Sequence, residues 1–470
     1  MNNTRLGKFK TKLLRRIRHG NDFMSSSKIK IADEFCQDYK KFLNECKTER
    51  EVISFVLAFA KSKGFEEFNP EKTYESGEKI FLANRGKSAV FCVIGKNKTK
   101  RGTKLIVSHV DSPRIDLKPN PLYEMNNVSL FKTHYYGGIK KYQWLTLPLA
   151  LHGRIMLANG KAVDLKIGED EEDPVFCITD LLPHIGKDML TKKLAEAFFG
   201  ENLNAIVGSR KLSIDGETSC QEKDCVRLNI LEILNRKYSI VEEDFLSAEL
   251  ELVPAAKARD VGFDRSMIGS YGHDDKVCVY TSFMALLDAD CVPEKTTIVG
   301  FVDKEEIGSE GNTSMKSRFL EYFVEDLADR DNMKVRHVLS KSKCLSADVN
   351  PAFDSNFANY FEQKNSSFIN NGVVLTKYTG SLGKNGSSDA SAEFLSEIRT
   401  FIQKNNILWQ TGELGRVDDG GGGTVAKYVA NLNVDVVDVG IPVLSMHAPM
   451  EVVSKIDVYS AYLTFKNFLQ

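Results

Sequence analysis

Residues 296–309 read "TTIVGFVDKEEIGS", and the opening half of that stretch decides the fold class. Ile298 to Val302 carry no polar side chain, which marks a strand of a buried, largely parallel sheet rather than a half-solvated ribbon. The run breaks off at an acidic pair, Glu305 and Glu306, followed at once by Ile307-Gly308-Ser309. Adjacent side chains on an extended chain point in roughly opposite directions. Two neighbouring glutamates therefore serve one ligand in the same way only if the chain turns beneath them. A division of labour is the sharper reading, in which one carboxylate holds a metal and the other moves protons. An isolated Glu-Glu pair is more often a solvated loop, so the pair gains meaning only from other segments.

Three further runs share the character of the first: "TKLIVSHV" (103–110), "CLSADV" (344–349) and "VDVVDVGIPVL" (434–444). Residues 274–289, "DDKVCVYTSFMALLDA", place Val277, Tyr280, Phe283, Met284 and Leu287 on one helical face, with aspartates where a helix dipole favours them. That helix is expected to cover the sheet. The middle of the chain differs, because "RIMLANGKAVDLKIG" (154–168) is two alternating runs joined by Asn159-Gly160, a strong hairpin signal. The expected fold is α/β: a mixed, largely parallel sheet flanked by helices, formed by residues 1–116 and 256–470, with an inserted β-rich domain at 117–255. No internal repeat is visible, and the one low-complexity tract is "DDGGGG" (418–423). It lacks the Gly-Lys-Ser/Thr ending of a phosphate-binding loop and reads as a flexible loop beside the site.

With 470 residues and a formal net charge of −1, the chain is long enough for a sizeable core and has no global field for nucleic acid or membrane. Nine cysteines, scattered and without a CxxC pair, fit thiols of a reducing compartment, Cys220 and Cys225 included. No apolar run is long enough to span a membrane and no secretory h-region opens the chain, so a cytoplasmic protein is expected. Residues 5–18, "RLGKFKTKLLRRIR", combine basic residues with Leu6, Phe9, Leu13 and Ile17 at helical spacing. They are expected to form a basic surface helix whose apolar stripe packs on the rest of the chain.

Candidate ligands gather at the ends of the apolar runs. His109 closes "LIVSHVDSPR", His447 lies in "IPVLSMHAPME", Asp274 and Asp275 in "GSYGHDDK", and Asp348 in "LSADVNPAFD". Each histidine alone is more often structural. Together with Glu305-Glu306, five segments present His, Asp or Glu beside apolar or Gly-rich chain, and oxygen and nitrogen donors without thiolate suit zinc, manganese or cobalt in a hydrolytic site.

These five ordered motifs, "SHVDSP", "GHDD", "KEEIGS", "SADVNPA" and "SMHAPME", resemble the aspartyl aminopeptidase and vacuolar aminopeptidase I family of dinuclear metalloaminopeptidases. The bacterial members are the nearer match through "YTGSLGKNGSSDASAE" and "DDGGGGT". The resemblance implies a zinc-peptidase-like catalytic domain that binds two divalent ions per subunit, zinc first, with cobalt or manganese also acceptable. It implies that Asp274 bridges the ions, that His109 and Asp348 complete one site and Glu306 and His447 the other, and that Asp275 does not ligate. Glu305 then becomes the base that takes a proton from water and passes it to the leaving amine. Asp111, two residues beyond His109, is placed to bond the second imidazole nitrogen and fix its tautomer. His273 is read as a bystander. The resemblance further implies that His184, in "LPHIGKD", reaches a neighbouring subunit's site, and that Lys377 contacts an acidic substrate side chain. It also implies that the inserted domain serves oligomerisation in a tetrahedral dodecamer. The expected function is removal of single N-terminal residues from short peptides with a free N-terminus. A related dinuclear deacylase or carboxypeptidase, or a non-catalytic assembly protein, are the alternatives.

Overall fold

In the computed structural model, which describes residues 5–15, 18–213, 223–289 and 291–470, Thr297–Val302 is a strand buried along its whole length. It lies near the middle of a nine-stranded sheet. The spatial order is Glu66–Glu67, Lys79–Asn84, Ser88–Val93, Thr297–Val302, Lys104–His109, Lys343–Ser346, Asp435–Gly440, Val373–Thr376 and Trp409–Thr411. The four strands at the centre, from Thr297–Val302 to Asp435–Gly440, are parallel to one another. Antiparallel pairs flank them on both sides, so the sheet is mixed.

Both faces of the sheet are covered, which explains the uninterrupted apolar runs. Ile106, Val299, Phe301, Leu345 and Val437 pack with the helices Ser26–Glu45, Glu49–Ser62, His273–Leu287, Ala392–Lys404 and Lys455–Leu469. Their alternates Leu105, Val107, Ile298, Val302 and Cys344 pack on the other face with Phe319–Arg330, Val335–Leu339 and Ala426–Ala430. A strand sandwiched in this way has no polar side to display. Within His273–Leu287, Asp274 and Asp275 have non-helical backbone angles, so regular helix begins just after them. Val277, Tyr280 and Phe283 join the buried face, with Met284 and Leu287 packed against it.

A second sheet of seven strands uses Arg114–Met125, Val128–Tyr136, Leu149–Met156, Ala162–Ile167, Cys177–Ile178, Ala205–Gly208 and Glu249–Pro254. All its pairings are antiparallel, and it owns a separate core around Ile115, Phe131, Trp144, Leu151 and Leu252. The Asn159-Gly160 hairpin is present: Leu149–Met156 pairs with Ala162–Ile167, and Gly160 takes φ +82°, a left-handed angle that glycine adopts without a Cβ penalty. A small third sheet runs in the order Arg259–Val261, Met267–Ser270, Glu451–Ser454, Pro442–Leu444 and Asn350–Pro351.

Two expectations need correction. Arg5–Leu13 is helical, but Leu6, Phe9 and Leu13 are 65%, 61% and 62% exposed. The stripe does not pack on the chain; a tertiary anchor is seen at Arg15, whose guanidinium stacks over Trp409 and donates to Thr411 Oγ1 at 3.0 Å, and Ile17 lies outside the described residues. Cys225, expected as a thiol, is disulfide-bonded, since a scattered cysteine count carries no geometry; Cys220 also lies outside the described residues. Cys36, Cys46, Cys92, Cys278 and Cys344 are buried free thiols as expected. Among the described residues no helix is long and apolar enough to cross a membrane.

Candidate metal centre

The parallel centre of the sheet builds the site. Val302 pairs with His109 across neighbouring strands, and Lys343–Ser346 lies on the other side of Lys104–His109. The three strand ends therefore deliver His109, Glu305-Glu306 and Asp348 to one place, where α/β sheets characteristically bind ligands. Asp274 arrives from the start of the covering helix, and His447 from the loop between Pro442–Leu444 and Glu451–Ser454. All six side chains line one cavity of about 520 Å³.

The chain does turn beneath the glutamate pair. Lys304 sits at φ +66° and Glu305–Ile307 is a single 3₁₀ turn, so both carboxylates face the cavity. Asp111 fixes that turn from behind. Its Oδ1 accepts from the Glu305 amide at 3.1 Å, and its Oδ2 accepts from the Glu306 amide at 3.2 Å and the Tyr136 hydroxyl at 2.8 Å. Asp111 was expected to hold the His109 ring through its carboxylate. The shorter contact is instead from His109 Nδ1 to the Asp111 main-chain oxygen, 3.0 Å, against 3.4 Å to Oδ1. The tautomer is fixed either way, and both carboxylate oxygens also accept from the glutamate amides.

Both imidazoles are set in the same manner. A carbonyl oxygen only accepts, so His109 Nδ1 and His447 Nδ1, the latter 2.9 Å from Gly138 O, carry protons. The Nε2 atoms are what remain to bind a cation, and each faces an oxygen of one carboxylate: His109 Nε2 lies 3.1 Å from Asp274 Oδ1, and His447 Nε2 3.2 Å from Asp274 Oδ2. Glu306 Oε2 is 3.4 Å from His447 Nε2 and Asp348 Oδ1 3.8 Å from His109 Nε2. Asp274 Oδ1 and Glu306 Oε1 are buried and accept no hydrogen bond among the described residues. Burial alone would discharge His447, yet the Asp274 and Glu306 carboxylates more than reverse that and push it up to about 11. The cluster thus demands positive charge at these nitrogens, and a divalent metal competes with a proton for the same lone pair. Burial pushes Glu305 up to about 7, the range suited to a base working near neutrality.

Three groups of donors lie close enough to share an ion: Asp274, Glu306 and His447; His109, Glu305 and Glu306; and His109, Asp275 and Asp348. The donor set fits oxygen- and nitrogen-binding metals such as zinc. Asp275, expected to stand aside, has an oxygen near His109 and Asp348 while its Oδ2 accepts the His109 amide at 3.3 Å. His273 is a bystander in its contacts, donating from Nε2 to Ile268 O at 3.1 Å and accepting at Nδ1 from Tyr39 OH at 2.7 Å. Lys377 does not line the cavity; it pairs with Asp389 at 2.7 Å. His184 is exposed and away from this chain's own cavity.

Sequence reasoning missed Glu451, which accepts from the Asp274 amide at 3.0 Å and the His447 amide at 2.7 Å and so ties the Asp274 and His447 segments together. It stands four residues after His447 in the "SMHAPME" motif, a signal that was available. Tyr136, the last residue of the second-sheet strand Val128–Tyr136, and Gly138, just beyond it, carry no motif that points to the site.

Donors of this kind at the strand ends of a covered sheet place the chain among metal-dependent hydrolases. Residues 42–469 match the model of the aminopeptidase I zinc metalloproteases, M18, and the chain belongs to that family. A curated relative, the probable M18 family aminopeptidase 1 of Borreliella afzelii, is 48% identical over 92% of this chain and 95% of its own length. The crystal structure of the Thermotoga maritima M18 aminopeptidase superposes with a TM-score of 0.92 at 40% identity, over 97% of this chain and all of that one. A structure of the mApe1 dodecamer of S. cerevisiae, 21% identical, shares the fold with a TM-score of 0.75 over 94% of this chain and 97% of its own.

Proposed function

We propose that this aminopeptidase acts on the N-terminal peptide bond of short peptides, with His109, Asp274, Glu306, Asp348 and His447 holding two divalent cations, zinc first, and Glu305 acting as the base. The observation that carries the reading is the facing of both imidazole Nε2 atoms onto the two oxygens of Asp274 at 3.1 and 3.2 Å. With Nδ1 committed to carbonyls, that arrangement is repulsive unless a cation sits at each nitrogen. When bound, two divalent ions would polarise the scissile carbonyl and lower the pKa of a water toward neutrality. Glu305 would take a proton from the attacking water as the water oxygen bonds to the carbonyl carbon. Glu305 then returns the proton to the amide nitrogen as the C–N bond breaks, giving a free amino acid and a peptide with a new N-terminus. Asp111 keeps Glu305 and Glu306 at fixed spacing by holding their amides.

We also assign the inserted segment 117–255, which supplies most of the second sheet, to assembly. Leu181, Leu182, Ile185, Leu190, Leu194 and Phe199 are exposed, an apolar surface of the sort that soluble chains cover with a partner. His184 stands among these residues and is assigned to a neighbouring copy's cavity in a homo-oligomer. The yeast relative's dodecamer is the arrangement favoured here, with the tetrahedral geometry part of the proposal.

Two measurements on zinc-restored protein test the reading. Free and N-acetylated forms of the same peptide separate an aminopeptidase from a deacylase or carboxypeptidase, since only the free amine should be accepted. Glu305→Gln should keep bound zinc and lose roughly 10²- to 10⁴-fold in turnover, the usual cost of removing a general base. If zinc is lost instead, the roles of Glu305 and Glu306 are exchanged.

A further inference from the structure

We propose that Lys427 reads a carboxylate of the bound peptide and so selects substrates that carry one; this rests on the two-cation reading of the site above. Lys427 lies in the short helix Ala426–Ala430 that follows the Gly421–Gly423 run, and it lines the same cavity as the metal-ligand candidates. Among the described residues it is the one Lys or Arg on that wall. Its ammonium has no carboxylate within 4.0 Å among those residues, in contrast to Lys377, which Asp389 already neutralises. Beside it are the Tyr428 ring, with its centroid 5.4 Å from Nζ, and Gly386, which contributes no side chain.

The cavity's charge balance gives that ammonium its weight. Four carboxylates face the cavity, Asp274, Glu305, Glu306 and Asp348, and two divalent cations would cancel their charge with both imidazoles neutral. Lys427 is then the formal charge left over, on a wall otherwise made of glycine amides and neutral side chains such as Ser381 and Asn385. A positive group in a partly enclosed cleft attracts an anionic group of the ligand more strongly than it would on open surface. Two parts of a peptide supply such a group: the side chain of an N-terminal Asp or Glu, and the C-terminal carboxylate of a peptide short enough to lie within the cavity.

Binding without turnover distinguishes them. Calorimetry on the zinc-loaded Glu305→Gln chain, with and without Lys427→Met, should be run with Leu-Leu, Leu-Leu-amide, Glu-Leu-amide and Gln-Leu-amide. Recognition of the C-terminus makes Leu-Leu bind about tenfold tighter than its amide, whereas recognition of the side chain does the same for Glu-Leu-amide over Gln-Leu-amide. Whichever preference is found should collapse in Lys427→Met and survive in Lys427→Arg. Lys427→Gln carries the same comparison if the methionine variant fails to fold. Absence of both preferences, or a preference that persists without the lysine charge, overturns the proposal. If the unsubstituted zinc-loaded chain cleaves none of these peptides, the site reading itself fails and takes this proposal with it. Cleavage without any carboxylate preference removes Lys427 alone.

Discussion

Asp111 shows how much of the site rests on one side chain that faces away from the cavity. Its two oxygens accept from the Glu305 amide, the Glu306 amide and the Tyr136 hydroxyl, while its main-chain oxygen orients His109. Burial would keep such a carboxyl neutral, but the hydrogen bonds and charge of His109, with the Tyr136 hydroxyl, outweigh burial and hold it below the ordinary carboxylate range. Asp111→Asn replaces one acceptor oxygen by an amide that turns its own hydrogens toward an N–H. Zinc affinity and kcat/KM should therefore fall about 10- to 100-fold, as for other groups that orient metal ligands. Titrating zinc into the metal-depleted variant measures this, and an unchanged zinc affinity together with an unchanged rate would show that the turn holds its shape without Asp111. The His-x-Asp spacing was legible because residues two apart share a side of an extended strand. The amide contacts were not, since they join positions nearly two hundred residues apart and use main-chain groups that every residue has.

At the scale of elements, the reading of the central strands survived because a strand covered on both faces leaves a continuous apolar signature. The mixed flanks of the sheet left no such mark. Two-residue and three-residue strands such as Glu66–Glu67 and Trp409–Thr411 are too short for any periodicity to register. Close approach was equally invisible: a Cβ on Gly440, at the end of Asp435–Gly440, would stand 1.6 Å from the Asp348 main-chain oxygen. Gly440→Ala must displace the segment carrying Asp348, and we expect a loss of about 2 kcal/mol or more in unfolding free energy with weakened zinc binding. Denaturant unfolding of the metal-free chain and zinc titration read the two effects separately. His152 marks the junction between the second sheet and the helix Glu49–Ser62. Its Nδ1 is 2.8 Å from Glu51 Oε1 and its Nε2 3.0 Å from Glu169 Oε1, so both nitrogens donate and the ring is an imidazolium. Burial opposes the charge, but the hydrogen bonds to Glu169 and Glu51 outweigh it and raise the pKa. A raised folded-state pKa contributes stability that is fully present below the unfolded value of about 6.5 and is lost as pH rises through the folded one. His152→Gln should therefore cost about 1–3 kcal/mol at pH 6 and distinctly less at pH 9; an equal cost at both would mean the ring is neutral in the fold.

At the scale of the whole molecule, apolar side chains stand exposed along the N-terminal helix and in the segment around His184. An exposed leucine alone means little, but a run including Leu181, Leu182, Ile185 and Leu190 within a few residues of a histidine assigned to substrate binding calls for a partner. Composition could not reveal this, because net charge and apolar content do not say which apolar residues stay outside. Chain complementation tests whether that partner is another copy. The Glu305→Gln chain lacks the proposed base and the His184→Phe chain lacks the histidine proposed to act in trans, so each homo-oligomer should be nearly inactive. When the two are mixed and reassembled in equal amounts, about a quarter of the sites should combine an intact Glu305 with a neighbour's intact His184. Activity should return to roughly that fraction, and it should track the formation of mixed oligomers followed by differential tags. Full activity in a monomeric fraction would reject a shared site, and so would proven mixed oligomers that stay as inactive as their parents. In either case the proposed cation cluster of His109, Asp274, Glu306, Asp348 and His447 would be untouched, since every one of those donors belongs to a single chain.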